Sequence, residues 1–125
     1  MSVSAIKYVS DLMERARVPY AFMEWKDTLP DDLFSVGEIH EISTPTMEES
    51  GKQDVQVFLR LYTKKDWLSL EYAKERIIKS IIPTAILSDG TGIAVSYDSA
   101  TIVPTGDAEL KSMKINLTIQ SWKVN

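Results

Sequence analysis

The chain holds one histidine, His40, within Glu38-Ile39-His40-Glu41, and no cysteine. On a strand Glu38 and His40 project to the same side, a placement that could begin a metal site. A third ligand at a suggestive spacing is missing, so a surface or interface histidine is the simpler reading. A Ser-His-Asp triad could draw on His40, but no Gly-x-Ser-x-Gly elbow or comparable nucleophile context accompanies it. Asp31-Asp32 and Glu48-Glu49 are adjacent carboxylates whose side chains diverge in extended chain, which suits solvated loops better than a shared proton. Asp89-Gly90-Thr91-Gly92 lacks the spacing of a phosphate-binding loop and opens no helix, so it reads as a hairpin turn. Asn116-Leu117-Thr118 fits a glycosylation sequon but lies in mid-strand. No catalytic, cofactor-binding or metal-ligating residues are expected, no cofactor is implied, and the chain reads as something other than an enzyme.

Two groups of residues point to surfaces instead. Lys64, Lys65, Lys74, Arg76 and Lys79 gather around a helical stretch and could touch phosphates, although Glu71 and Glu75 on the same helix favour a self-neutralising face. Phe58, Tyr62 and Trp122 fall on the non-core sides of their strands, with Trp25 near a strand end. Either an irregular segment covers them or a partner does, and aromatics are enriched at protein interfaces.

These residues need elements to position them. The 125 residues suit one domain, spanning 1–125, and can bury a core without disulfides or metal. Val3, Ile6, Val9, Leu12, Met13 and Ala16 recur at helical spacing, and Pro19 stops that helix. Tyr20 to Trp25 reads as an aromatic strand and 28–32 as a loop. Val36 to Thr46 is β-rich but alternates badly, and Pro45 argues for an edge or irregular position. Val55, Val57, Leu59 and Leu61 alternate with Gln56, Phe58, Arg60 and Tyr62, a strand with one buried face. A second helix runs from about Asp66, its cap, to Ser80, with Trp67, Leu70, Ala73, Ile77 and Ile81 as its stripe and Pro83 beyond its end. Residues 93–97 form a strand, 100–103 a short partner, and Met113, Ile115, Leu117 and Ile119 the apolar side of the last strand. The expected fold is α+β: a mainly antiparallel sheet with two helices packed on one face, in the order α-β-β-β-α-β-(β)-β.

Fourteen Lys and Arg stand against eighteen Asp and Glu, a net charge of −4, so no global field draws nucleic acid or anionic membrane. The acidity is local: residues 1–62 carry six basic and eleven acidic side chains, residues 63–125 eight and seven. The N-terminus has no basic segment followed by an apolar one, and no apolar run approaches a membrane span, so neither secretion by that route nor insertion is expected.

Taken together, the N-terminal helix, the strand Tyr20-Ala-Phe-Met-Glu-Trp25, Val36-Gly-Glu-Ile-His-Glu41, the strand ending Leu59-Arg-Leu-Tyr-Thr63, the helix opening Trp67-Leu-Ser-Leu-Glu71 and the closing Lys114-Ile-Asn-Leu-Thr-Ile-Gln-Ser-Trp122 resemble tail-completion and tail-terminator proteins of long-tailed bacteriophages and prophages. The resemblance is one of element order over most of the chain. It implies a ring-forming structural subunit, typically of a hexamer, that caps the tail tube at its head-proximal end. The implied partners are other copies of the chain, the tail tube protein and head–tail connector proteins, with neither sequence-specific nucleic-acid binding nor a membrane. The implied location is the host cytoplasm during assembly, then the virion tail. Trp25, Phe58, Tyr62 and Trp122 are candidate interface residues, and Glu38, Glu41, Glu48, Glu49 and Asp54 are candidates for an acidic loop facing a ring lumen that DNA would cross. A small monomeric binding or inhibitor module acting on a host protein is the other class that size and acidity allow.

Overall fold

Helix α1 spans Val3–Arg15 and buries Ala5, Tyr8, Val9, Leu12 and Met13. The stripe is turned slightly from the expected one: Tyr8 is buried, while Val3 is exposed and Ile6 is only partly covered. The helix ends by backbone bonding before Pro19 acts. Arg17 adopts a left-handed φ of 58°, its N–H reaches the Glu14 carbonyl at 3.1 Å, and the Val18 N–H reaches that of Met13 at 3.1 Å. This is a Schellman closure, and both Val18 and Met13 are buried. The coordinates are a computed structural model that describes residues 3–25, 30, 32–42, 52–87 and 90–123.

Strand β1 is short, Tyr20–Phe22, because Met23 turns the chain with a φ of 69°. Trp25, expected inside the strand, lies beyond it. Strand β2 covers Leu33–Ile42, three residues earlier in its start than the pattern predicted. It is no edge strand: β1 pairs with it in parallel over Ser35–Gly37, and β3, Lys52–Thr63, pairs antiparallel along its whole length. Its poor alternation has a packing cause. The inward positions hold Ser35 and Gly37, small residues that leave room for Tyr20, whose ring fills the space a Cβ on Gly37 would need. Ser35 Oγ donates to the Pro19 carbonyl at 2.7 Å, and the larger Phe34 and Val36 point the other way. Pro45 lies outside the described residues.

Helix α2 is Trp67–Ser80. Asp66 caps it, accepting from the Ser69 amide at 2.9 Å and from the Ser69 hydroxyl at 3.0 Å. It buries Leu70, Ala73 and Ile77, and Trp67, expected on the same stripe, is exposed. Strand β4, Thr84–Ile86, had no signal in the pattern. Residues 93–97 and 100–103 belong to one strand, β5, Thr91–Val103, whose register slips once between Tyr97 and Ser99. The extra residue, Asp98, receives the Thr118 hydroxyl at 2.5 Å, so the bulge is held from the neighbouring strand. Strand β6 is Lys111–Lys123.

The fold is α+β, with a six-stranded sheet in the order β1-β2-β3-β6-β5-β4. Every neighbouring pair is antiparallel except β1 with β2. Val55, Val57, Leu59 and Leu61 of β3 and Met113, Ile115, Leu117 and Ile119 of β6 meet the apolar stripes of both helices in one buried cluster. Each large side chain in that layer contributes about 1.5–3 kcal/mol by leaving water. Across it each helix caps the C-terminal end of the other: Arg15 donates to the Ser80 carbonyl at 3.1 Å, and Arg76 to the Ala16 carbonyl at 3.0 Å. Among the described residues all the helical cover lies on this side. The other side of the sheet has no helix over it among the described residues.

Candidate functional site

Register sorts the uncovered side of β2, β3 and β6 into rows. Phe34, Tyr62 and Ser112 form the first, Val36, Arg60 and Lys114 the second, and Glu38, Phe58 and Asn116 the third; then come His40, Gln56 and Thr118, and finally Asp54 with Gln120. Trp122 closes the far end of β6, opposite Gly92 of β5.

The first row is an aromatic stack. Phe34 and Tyr62 lie nearly parallel with centroids 5.0 Å apart, and Trp25 meets Phe34 edge-on at 6.4 Å. Trp25 is anchored by its indole N–H, which donates to the Ser35 carbonyl at 3.1 Å. In mid-sheet, Phe58 sits between a cation and an imidazole: Lys114 Nζ lies 4.3 Å from its ring centroid, and the His40 ring centroid is 4.9 Å away. Such cation–π contact strengthens when water is removed from it. Glu38 bridges the rows, with His40 Nε2 at 3.3 Å and Arg60 Nε at 3.4 Å, the latter a charge contact without hydrogen-bond geometry. Trp122 packs against Gly92, where any Cβ would collide with the indole.

Trp25, Phe58, Tyr62 and Trp122 therefore all belong to this one face. Trp25 and Tyr62 join through Phe34, Phe58 occupies the middle, and Trp122 stands apart at the opposite end. Phe34 carries the stack, yet pattern reasoning missed it, because the β2 strand was expected to begin at Val36. Arg60 and Lys114 were also missed as site residues, although alternation along β3 and β6 already placed them on the wet side.

The acidic set does not converge. Glu38 belongs to strand β2 rather than a loop and is engaged by Arg60 and His40. Asp54 is two rows away in β3, and Glu41 is exposed on the helix side of β2. Glu48 and Glu49 lie outside the described residues. Among the described residues no third His, Cys, Asp or Glu joins Glu38 and His40 to hold a metal, and no helix is long and apolar enough to cross a membrane.

Three of the five basic residues near α2 are engaged within the chain. Lys74 meets Glu71 at 2.8 Å, and that hydrogen bond holds its ammonium above the usual lysine value. Lys65 meets Asp32 at 3.3 Å, and Arg76 reaches the Ala16 carbonyl. A shallow groove of about 310 Å³ runs between Trp67 and the β5–β6 turn. Its turn is tied by Thr105, which donates to the Leu110 carbonyl at 2.8 Å and accepts from the Asp107 amide at 3.1 Å.

No family model matches the sequence, and no curated protein matches it. A solved structure is similar over 100% of this chain and 99% of its own, with a TM-score of 0.61 and 15% sequence identity. At that identity the likeness concerns the fold: this α+β arrangement exists as a whole in another protein.

Proposed function

We infer that this chain is a structural subunit of a phage or prophage tail: a ring-forming tail terminator or tail-completion protein that caps the tube at its head-proximal end. One observation carries the inference. Four aromatics singled out as candidate contacts, Trp25, Phe58, Tyr62 and Trp122, share the face of the sheet that no described helix covers. A broad half-wet face with aromatics and opposed charges fits a surface completed by another protein chain. In a ring that surface meets a different one on the next copy, and the other contacts are the tail tube and the head–tail connector. The role needs no catalysis: the subunit acts by occupying the tube end and stopping further addition.

The test is electron microscopy of tails assembled with and without the protein. Overlong or headless tails in its absence are the expected result, and tails of normal length joined to heads would refute the proposal. Electron microscopy of tail-tube ends capped with Tyr62→Ala and Trp122→Ala variants separates the contacts. Loss of ring closure is expected, and closure unchanged in both would remove these aromatics from the interface.

A further inference from the structure

We propose that, in the free protein, the sheet face that no described helix covers packs against the same face of a second copy about a two-fold axis running across the strands. The proposal concerns the face used in the functional reading above but does not depend on rings or tails.

The area is sufficient. Four central strands at about 4.8 Å spacing, each about twelve residues long at about 3.3 Å per residue, present roughly 750 Å². A standard stable interface takes about 800 Å² from each partner. Sheets stacked in this way stay aligned to within about 30° and lie about 10 Å apart, so side chains of the two faces interdigitate.

Charge selects the axis. Two axes keep the strands aligned. One runs along them and sets β3 of one copy over β6 of the other with rows unchanged, which places Arg60 over Lys114. That opposition of like charges disfavours it. The other runs across the strands, between the Phe58–Asn116 row and the Gln56–Thr118 row. It sets each strand over its own copy with the row order reversed. Arg60 then comes within reach of Asp54, Glu38 of His40, and Lys114 of Gln120, each twice by symmetry. Lys114 and Phe58, already in contact at 4.3 Å, are dehydrated together.

The sign of one exposed position tests this without threatening the fold. Gln120 is exposed and faces Lys114 of the copy in the proposed dimer, but Asp54 of the copy with the axis along the strands. Sedimentation equilibrium of the wild type at about 100 µM is expected to give twice 14.1 kDa. Gln120→Glu is expected to tighten the dimer and Gln120→Lys to weaken it, each by about three- to tenfold. Asp54→Arg is expected to weaken it at least tenfold, and Asp54→Arg with Arg60→Asp to recover most of the loss, with far-ultraviolet circular dichroism confirming the fold. A monomeric wild type overturns the proposal. So does a dimer indifferent to all of these changes, or one in which the two Gln120 variants have the opposite signs. Each of these results leaves the tail-length experiment standing, and normal tails would refute the ring while leaving the dimer intact.

Discussion

The hydroxyl of Tyr8 accepts the amide hydrogen of Ile82 and donates its own to the Ile82 carbonyl, each across 3.0 Å. One side chain of α1 thus satisfies both backbone groups of a residue just past the end of α2. The Arg15 guanidinium lies 5.7 Å from the Tyr8 ring centroid while bonding Ser80, so the same corner is held twice. Tyr8→Phe keeps the packing and removes both bonds. It is expected to cost about 1–2 kcal/mol in urea denaturation, with the slope against denaturant unchanged. A loss below the error of extrapolation would show that water replaces the hydroxyl fully.

Arg17 occupies the left-handed position at the end of α1, where glycine avoids the clash between Cβ and carbonyl. Its side chain is exposed. Arg17→Gly is expected to stabilise the protein by about 1 kcal/mol, although a glycine substitution elsewhere in a helix lowers stability. Chemical denaturation distinguishes the two signs.

Tyr20 lies on Gly37 with its hydroxyl buried and without a hydrogen-bond partner among the described residues. Burial pushes its pKa up to about 12. Because burial disfavours the phenolate, the folded state has its full stability below about pH 10 and loses some of it as pH climbs toward 12, where the unfolded phenol ionises first. Tyr20→Phe is expected to leave stability at pH 7 unchanged or slightly higher, because it removes an unpaired buried hydroxyl. It should also flatten the alkaline fall in melting temperature. Gly37→Ala forces the ring from its seat and is expected to cost about 1–3 kcal/mol.

The Asp66 carboxyl is held below its ordinary value, first by the Ser69 amide and then by the Ser69 hydroxyl. Its contribution is complete above the ordinary aspartate value and disappears as pH falls through the lowered one. Asp66→Ala is expected to lower the melting temperature at pH 7, with the gap from the wild type closing as the solution is acidified. A gap independent of pH would mean that the charge of the cap has no role.

Pattern alone located what simple alternation and capping control. Val55 to Leu61 and Met113 to Ile119 show period two because one side meets helices and the other meets water. Asp66 announces α2 because a carboxylate satisfies amides that a helix start leaves free. The start of strand β2 was placed three residues late because its first inward side chains, Ser35 and Gly37, are small, the volume there being supplied by Tyr20 from another strand, so no local window contains the reason. The break between Tyr97 and Ala100 disguised a continuous strand, since a bulge disturbs alternation without ending pairing. The candidate face was half legible for the same reason. Strand parity shows which residues point away from the core, but the stack of Trp25, Phe34 and Tyr62 depends on the turn at Met23 and on cross-strand register.

The β3–β6 seam sets the order in which the sheet can be completed. The β2–β3 and β5–β6 ribbons are each formed by chain neighbours, whereas the seam joins Thr63 to Lys111 and Lys52 to Trp122. Its closest pair is 48 residues apart along the chain. Bringing such distant partners together costs more loop entropy than closing either ribbon, and folding slows as such contacts dominate. Two half-sheets, each lacking an opposite wall for its apolar side, must therefore find one another before the core exists, and the time spent in that search is when the chain is most open to joining the wrong copy.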